Sequence, residues 1–124
     1  MTGPFAGILR SISIAAIVLL DEPTAALDPA HQLKVMDLME KFRQEQETTI
    51  IMVSHDLNLA SLYGDRLMLL KEGREMRTGT PEKVLSVELM RASYGCEMLI
   101  DENPLGKGTR VTPIPGKFLD RLQK

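Results

Sequence analysis

The sequence predicts an α/β domain built on a mainly parallel sheet with flanking helices, and two observations carry that prediction. Ile14 to Leu20 and Thr48 to Val53 are continuous apolar runs without polar alternation, the pattern of strands covered on both faces. Between them, from Pro29 to about Gln46, apolar residues recur at helical spacing. Strand, helix and strand thus follow one another as in a right-handed crossover unit.

The elements follow in order. Phe5 to Leu20 is mostly apolar, but it is short of the ~20 apolar residues that cross a bilayer. No basic region precedes it, Arg10 interrupts it, and Asp21-Glu22 stand where small cleavage-site residues would belong to a leader peptide. It reads as an apolar helix running into a buried strand. Asp28-Pro29 is a helix start, with Asp as N-cap and Pro at the first helical position; Leu33, Val35, Met36, Leu38, Met39 and Phe42 supply its apolar positions. A second helix is expected from Asp56 to Tyr63, closed by Gly64. Arg66 to Leu70 and Glu75 to Thr78 flank Lys71-Glu72-Gly73-Arg74, a hairpin pattern. Thr80-Pro81 and Ser86 start two short helices. Glu97 to Asp101 and Thr109 to Pro113 form a terminal strand pair, and the tail from Gly116 is expected to be loosely held.

At 124 residues, the chain fits one small domain with its own core. Its formal net charge of −2 gives no electrostatic reason for nucleic acid or an anionic membrane as partner. The single cysteine, Cys96, has no internal disulfide partner, which suits a reducing compartment.

The chemistry concentrates in Ile17-Val-Leu-Leu-Asp21-Glu22-Pro23-Thr24. Two carboxylates end a buried strand, at the edge where open α/β sheets bind ligands. Asp21 there suits magnesium, a hard cation that takes oxygen ligands. Glu22, pointing elsewhere, is free to orient or deprotonate a water. Taken alone, the pattern also fits a strand ending at a solvated turn. A second cluster, Ser54-His55-Asp56, ends the next apolar strand, which in a parallel sheet is the same edge. An imidazole there can hydrogen-bond a phosphate oxygen or an attacking water.

VLLDEPTAALD resembles the Walker B and D-loop segment of ABC ATPases, and VSHDLNLA resembles their switch-histidine segment. The resemblance implies a P-loop NTPase fold with ATP and Mg2+ as cofactors. Asp21 would serve the metal, Glu22 would be the general base, and His55 would contact the γ-phosphate with Ser54 beside it. Asp28 would lie in the D-loop that meets a partner subunit in a head-to-tail dimer. Gly73 through Thr80-Pro81-Glu82 resembles the hairpin and helix that follow the switch histidine in that family, and Tyr94 to Pro104 is similar to the terminal strand of importers for iron-siderophore, haem and cobalamin. A membrane permease as partner, and a cytoplasmic location peripheral to the inner membrane, would follow.

The sequence contains no G-x-x-x-x-G-K-S/T and no LSGGQ-like signature. Gly106-Lys107 and Gly116-Lys117 lie after the Walker B strand and lack a following Ser/Thr. Residues 1–124 are therefore expected to be the C-terminal part of an ABC ATPase domain, a partial fold whose N-terminal half is missing, inactive alone. The alternative is a non-catalytic self-association module derived from such an ATPase. A repair ATPase with a similar DEPT segment is a third reading, disfavoured by the C-terminal segments.

Overall fold

The computed structural model describes residues 17–106 and 108–119. Two compact units, Met1–His55 and Asp56–Lys124, make up the chain.

In the first unit, β1 (Ile17–Asp21), α1 (Pro29–Gln46) and β2 (Thr49–Val53) form the expected strand–helix–strand motif. The strands are parallel and in register from Ile17 opposite Thr49 to Asp21 opposite Val53. Helix α1 starts where the sequence predicts: Asp28 is the N-cap, accepting the His31 N–H at 2.8 Å, and Pro29 occupies the first turn. It ends at Glu47, whose left-handed backbone sends its N–H to the Arg43 carbonyl. Met36, Met39 and Phe42 are its buried residues, and the helix packs on β2.

Coverage of the two strands is one-sided. Val18, Leu20, Ile50 and Met52 are half-buried, whereas Ile17, Leu19, Ile51 and Val53 are 64, 70, 49 and 48% exposed. Side chains alternate across a strand, and the one described helix of this unit is a single layer that shields a single face. The expected start of the strand, at residues 14–16, and the apolar stretch before it lie outside the described residues.

The second unit holds α2 (Leu57–Tyr63), the hairpin β3 (Leu67–Lys71) and β4 (Arg74–Gly79), α3 (Pro81–Val84), α4 (Val87–Tyr94), the antiparallel pair β5 (Met98–Glu102) and β6 (Thr109–Pro113), and a short 3-10 turn, Gly116–Phe118. Its core is Leu69, Val84, Leu85, Met90, Met98 and Val111. Glu72 and Gly73 both have positive φ, 53° and 76°, which makes the predicted hairpin a two-residue type I′ turn whose twist suits the flanking strands. Ser86 caps α4 by accepting the Leu89 N–H at 3.1 Å, and left-handed Gly95 ends it. Gly64 ends α2 for another reason than the one expected. Its φ is −80°, not left-handed, but an added Cβ would lie 2.7 Å from the Ala60 carbonyl oxygen and 2.9 Å from Leu67 Cδ2. Gly116–Phe118 makes one 3-10 turn, with the Phe118 N–H on the Pro115 carbonyl at 2.9 Å, and the tail beyond residue 119 lies outside the described residues. Among the described residues, no helix is long and apolar enough to cross a membrane.

Candidate functional site at the strand ends

The site grows from the end of the parallel pair. Asp21 closes β1 opposite Val53, which closes β2. The ladder runs one bond further, from the Glu22 N–H to the Val53 carbonyl at 2.8 Å, and at Glu22 the backbone turns into the left-handed region with φ 48°. The chain then reverses through Pro23–Ala26. The Ala25 N–H reaches the Glu22 carbonyl at 3.1 Å and the Leu27 N–H reaches the Thr24 carbonyl at 3.2 Å. Thr24 is buried, and Ala26 is also left-handed, with φ 63°.

From the other strand comes His55, with half-buried Ser54 between it and β2. Its Nε2 lies 3.1 Å from Glu22 Oε1; in that contact the ring N–H donates and the carboxylate accepts. The imidazole is 81% exposed and the Glu22 side chain 38%, so both stay open to a ligand. Asp21, Glu22 and His55 thus share one edge of the pair, as the sequence predicts.

Asp28 is engaged otherwise. Its Oδ1 accepts both the His31 N–H, at 2.8 Å, and a bond from His31 Nδ1, at 2.7 Å. These bonds, the backbone one first, hold its carboxyl below the usual carboxylate range. The carboxylate therefore acts as the N-cap of α1. An N-cap followed three residues later by a histidine is legible in Asp28-Pro-Ala-His31; the left-handed backbone at Glu22 has no such signal.

The donor set suits magnesium. That ion keeps several waters and takes one or two carboxylates, its remaining ligands coming from phosphates. Among the described residues no group of three or more His, Cys, Asp or Glu is placed to enclose a metal, whereas Asp21 offers one carboxylate at an open strand end.

Comparison with known proteins gives this geometry its context. No protein-family model matches the chain. A metal-chelate type ABC transporter solved in an inward-facing conformation superposes with a TM-score of 0.72 at 26% identity, over 82% of this chain and 42% of that one. A part of the cbiONQ ABC transporter complex from Clostridium perfringens gives 0.53 at 36% identity, over 61% and 30%. Fold and strand-end site define a partial ABC-type P-loop NTPase domain. The hemin import ATP-binding protein of Pseudomonas aeruginosa is 46% identical over 88 residues, 71% of this chain and 34% of its own length. The petrobactin import ATP-binding protein of Bacillus anthracis is 48% identical over 103 residues, covering 81% and 38%. For the ferric enterobactin transport ATP-binding protein of Escherichia coli, the figures are 36% over 99 residues, 80% and 36%. The chain belongs to the ATP-binding subunits of ABC transporters, and it spans about a third of the length of the curated relatives it matches.

Proposed function

We propose that this chain is the Walker B, D-loop and switch-histidine portion of an ATP-hydrolysing subunit that drives import of an iron chelate, haem or a similar cargo. One observation carries the reading: Glu22 and His55 meet at 3.1 Å on the strand edge that also bears Asp21. Glu22, oriented by His55, accepts the proton of the attacking water, and the water's oxygen attacks the γ-phosphorus in line with the leaving ADP oxygen. With nucleotide bound, a ring N–H of His55 would donate to a γ-phosphate oxygen. Asp21 would hold Mg2+, which neutralises charge developing on the phosphate oxygens. Ser54 lies beside the phosphates, and Asp28 fixes the D-loop where a second subunit would meet it. The cargo class follows from the hemin, petrobactin and enterobactin systems named for the relatives. A membrane permease as partner, at the cytoplasmic face of the inner membrane, belongs to the same reading.

The chain alone is proposed not to turn over ATP, because this sequence carries no G-x-x-x-x-G-K-S/T to bind the β- and γ-phosphates. A second reading, a non-catalytic self-association module, draws on the exposed face formed by Ile17, Leu19, Ile51 and Val53. Titration with a fluorescent ATP analogue, with and without Mg2+, separates the two. Weak magnesium-dependent binding that falls in Asp21→Asn supports the nucleotide site; no binding up to ~1 mM supports the module. Turnover that disappears in Glu22→Gln would overturn the proposed inactivity.

A further inference from the structure

We propose that His31 is a positioning residue for Asp28: its ring gives the carboxylate that caps α1 a second bond, and so fixes the reversal that leads from Glu22 into that helix. The functional weight of this role rests on the reading of Asp28 as part of a D-loop that meets a second subunit. The geometry is independent of it.

The reversal is anchored at both ends. Upstream, the Glu22 N–H sits on the Val53 carbonyl at 2.8 Å. Downstream, three bonds converge on Asp28. Its carbonyl accepts the Gln32 N–H at 2.9 Å, and its Oδ1 accepts the His31 N–H at 2.8 Å and a bond from His31 Nδ1 at 2.7 Å. Between these anchors run two turn bonds, at 3.1 and 3.2 Å, and Ala25, Ala26 and Leu27 are exposed. Thr24 is buried, so the presentation of the three residues after it depends on how firmly Asp28 is held.

The arrangement differs from a capping box, in which the third helical residue, Glu or Gln, reaches back to the N–H of the cap residue. Here that third residue is His31, and its ring donates to the cap carboxylate. An ionised carboxylate only accepts, so Nδ1 carries the hydrogen. The His31 and Asp28 side chains are 63 and 60% exposed, and a pair so open to water adds little to stability. What it adds is orientation. Two donors of one residue on one carboxylate oxygen hold the Asp28 side chain in a single rotamer.

The test uses the full chain without nucleotide, at a pH where imidazole is neutral. Three-bond couplings from Asp28 Cγ to its own backbone N and C′ read the rotamer, and long-range 1H–15N spectra read the His31 ring. The unaltered chain should give the couplings of one Asp28 rotamer and a His31 ring with its hydrogen on Nδ1. In His31→Ala the couplings should average over several rotamers. The Leu27 amide should then exchange about twofold to fivefold faster, the range for losing an exposed ion-pair contact. His31→Asn keeps a donor at the δ position and should restore both readouts. Helix preference alone orders the variants the other way, since alanine is the better helix former and asparagine the poorer one. Averaged couplings in the unaltered chain, a ring hydrogen on Nε2, or unchanged couplings in His31→Ala would each overturn the proposal. An asparagine variant that behaves like the alanine one would overturn it too. Neither readout involves nucleotide or a second subunit, so failure here leaves the D-loop reading standing, and failure of that reading leaves these couplings unchanged.

Discussion

Glu22 and Ala26 bracket the reversal between β1 and α1, both with positive φ, 48° and 63°. An L-residue in the left-handed region is held there at a cost of about 1–2 kcal/mol. At Glu22 the conformation accompanies two contacts, the N–H on Val53 and the carboxylate on His55. Ala26 carries only a methyl group, so Ala26→Gly should relieve the strain. After the greater chain entropy of glycine is subtracted, a gain of ~0.5–1 kcal/mol is expected, read as a higher urea midpoint at constant slope. A lower midpoint would show that the Ala26 methyl group packs usefully. The placement of Asp21, Glu22 and His55 on one edge was legible because both motifs end apolar runs in a parallel unit. The turn that aims Glu22 was not, since glutamate gives no compositional hint of a left-handed backbone.

The Asp101–Arg110 pair links β5 to β6 through two bonds, at 2.8 and 2.6 Å. The Arg110 guanidinium holds the Asp101 carboxyl below its ordinary value of 3.8. A carboxyl whose folded value is depressed adds stability above the unfolded value and loses it as pH falls through the folded one. Asp101→Asn should therefore lower the urea midpoint near neutrality, with the gap to the unaltered chain closing from about pH 4 downward. A gap that persisted in acid would mean that shape, not charge, makes the pair.

Among the elements, α2 and its exit are the most constrained. Gly64→Ala would place a Cβ 2.7 Å from the Ala60 carbonyl oxygen, and backbone cannot swing aside as a long side chain can. A φ of −80° suits alanine well, so the expected loss of about 1–3 kcal/mol is steric; an unchanged thermal midpoint would argue that α2 frays freely at that end. In α4, Met90 is fully buried against Leu69, Val84, Leu85, Met98 and Val111. Met90→Ala should cost ~2–5 kcal/mol, measured by chemical denaturation, and a smaller loss would mean that the core collapses around the gap. The helices and the hairpin were legible because caps and turn residues leave signatures: Asp28-Pro29, Ser86 with Gly95, Glu72-Gly73. The hydrogen bond from Asn58 of α2 to the Val111 carbonyl of β6 was not, because its partners meet across a separation of 53 residues, and no local pattern records such a contact.

At the scale of the whole chain, the parallel pair matters most. Its apolar runs were correctly read as strands, but continuous hydrophobicity describes what a strand can bury, not what covers it. Ile17, Leu19, Ile51 and Val53 stay open, and Thr48 to Val53 has no charge or proline to guard it. Burying ~400 Å2 of apolar surface per chain would favour association by roughly 10 kcal/mol for each chain before entropy is subtracted. Self-association at micromolar concentration is therefore expected in sedimentation velocity. A single monomeric species up to ~100 µM would overturn it, since interfaces of ordinary size bind within that range.

The same open face bears on how long the chain survives in a cell. Chaperones and proteases sort proteins by the apolar backbone they display, and the fraction on display sets steady-state abundance. With one side of its parallel pair uncovered among the described residues, the folded chain shows apolar surface of the kind most proteins reveal only on unfolding. Its half-life should then depend on whether something occupies that face: short when it is made alone, longer beside a partner that shields Leu19 and Ile51.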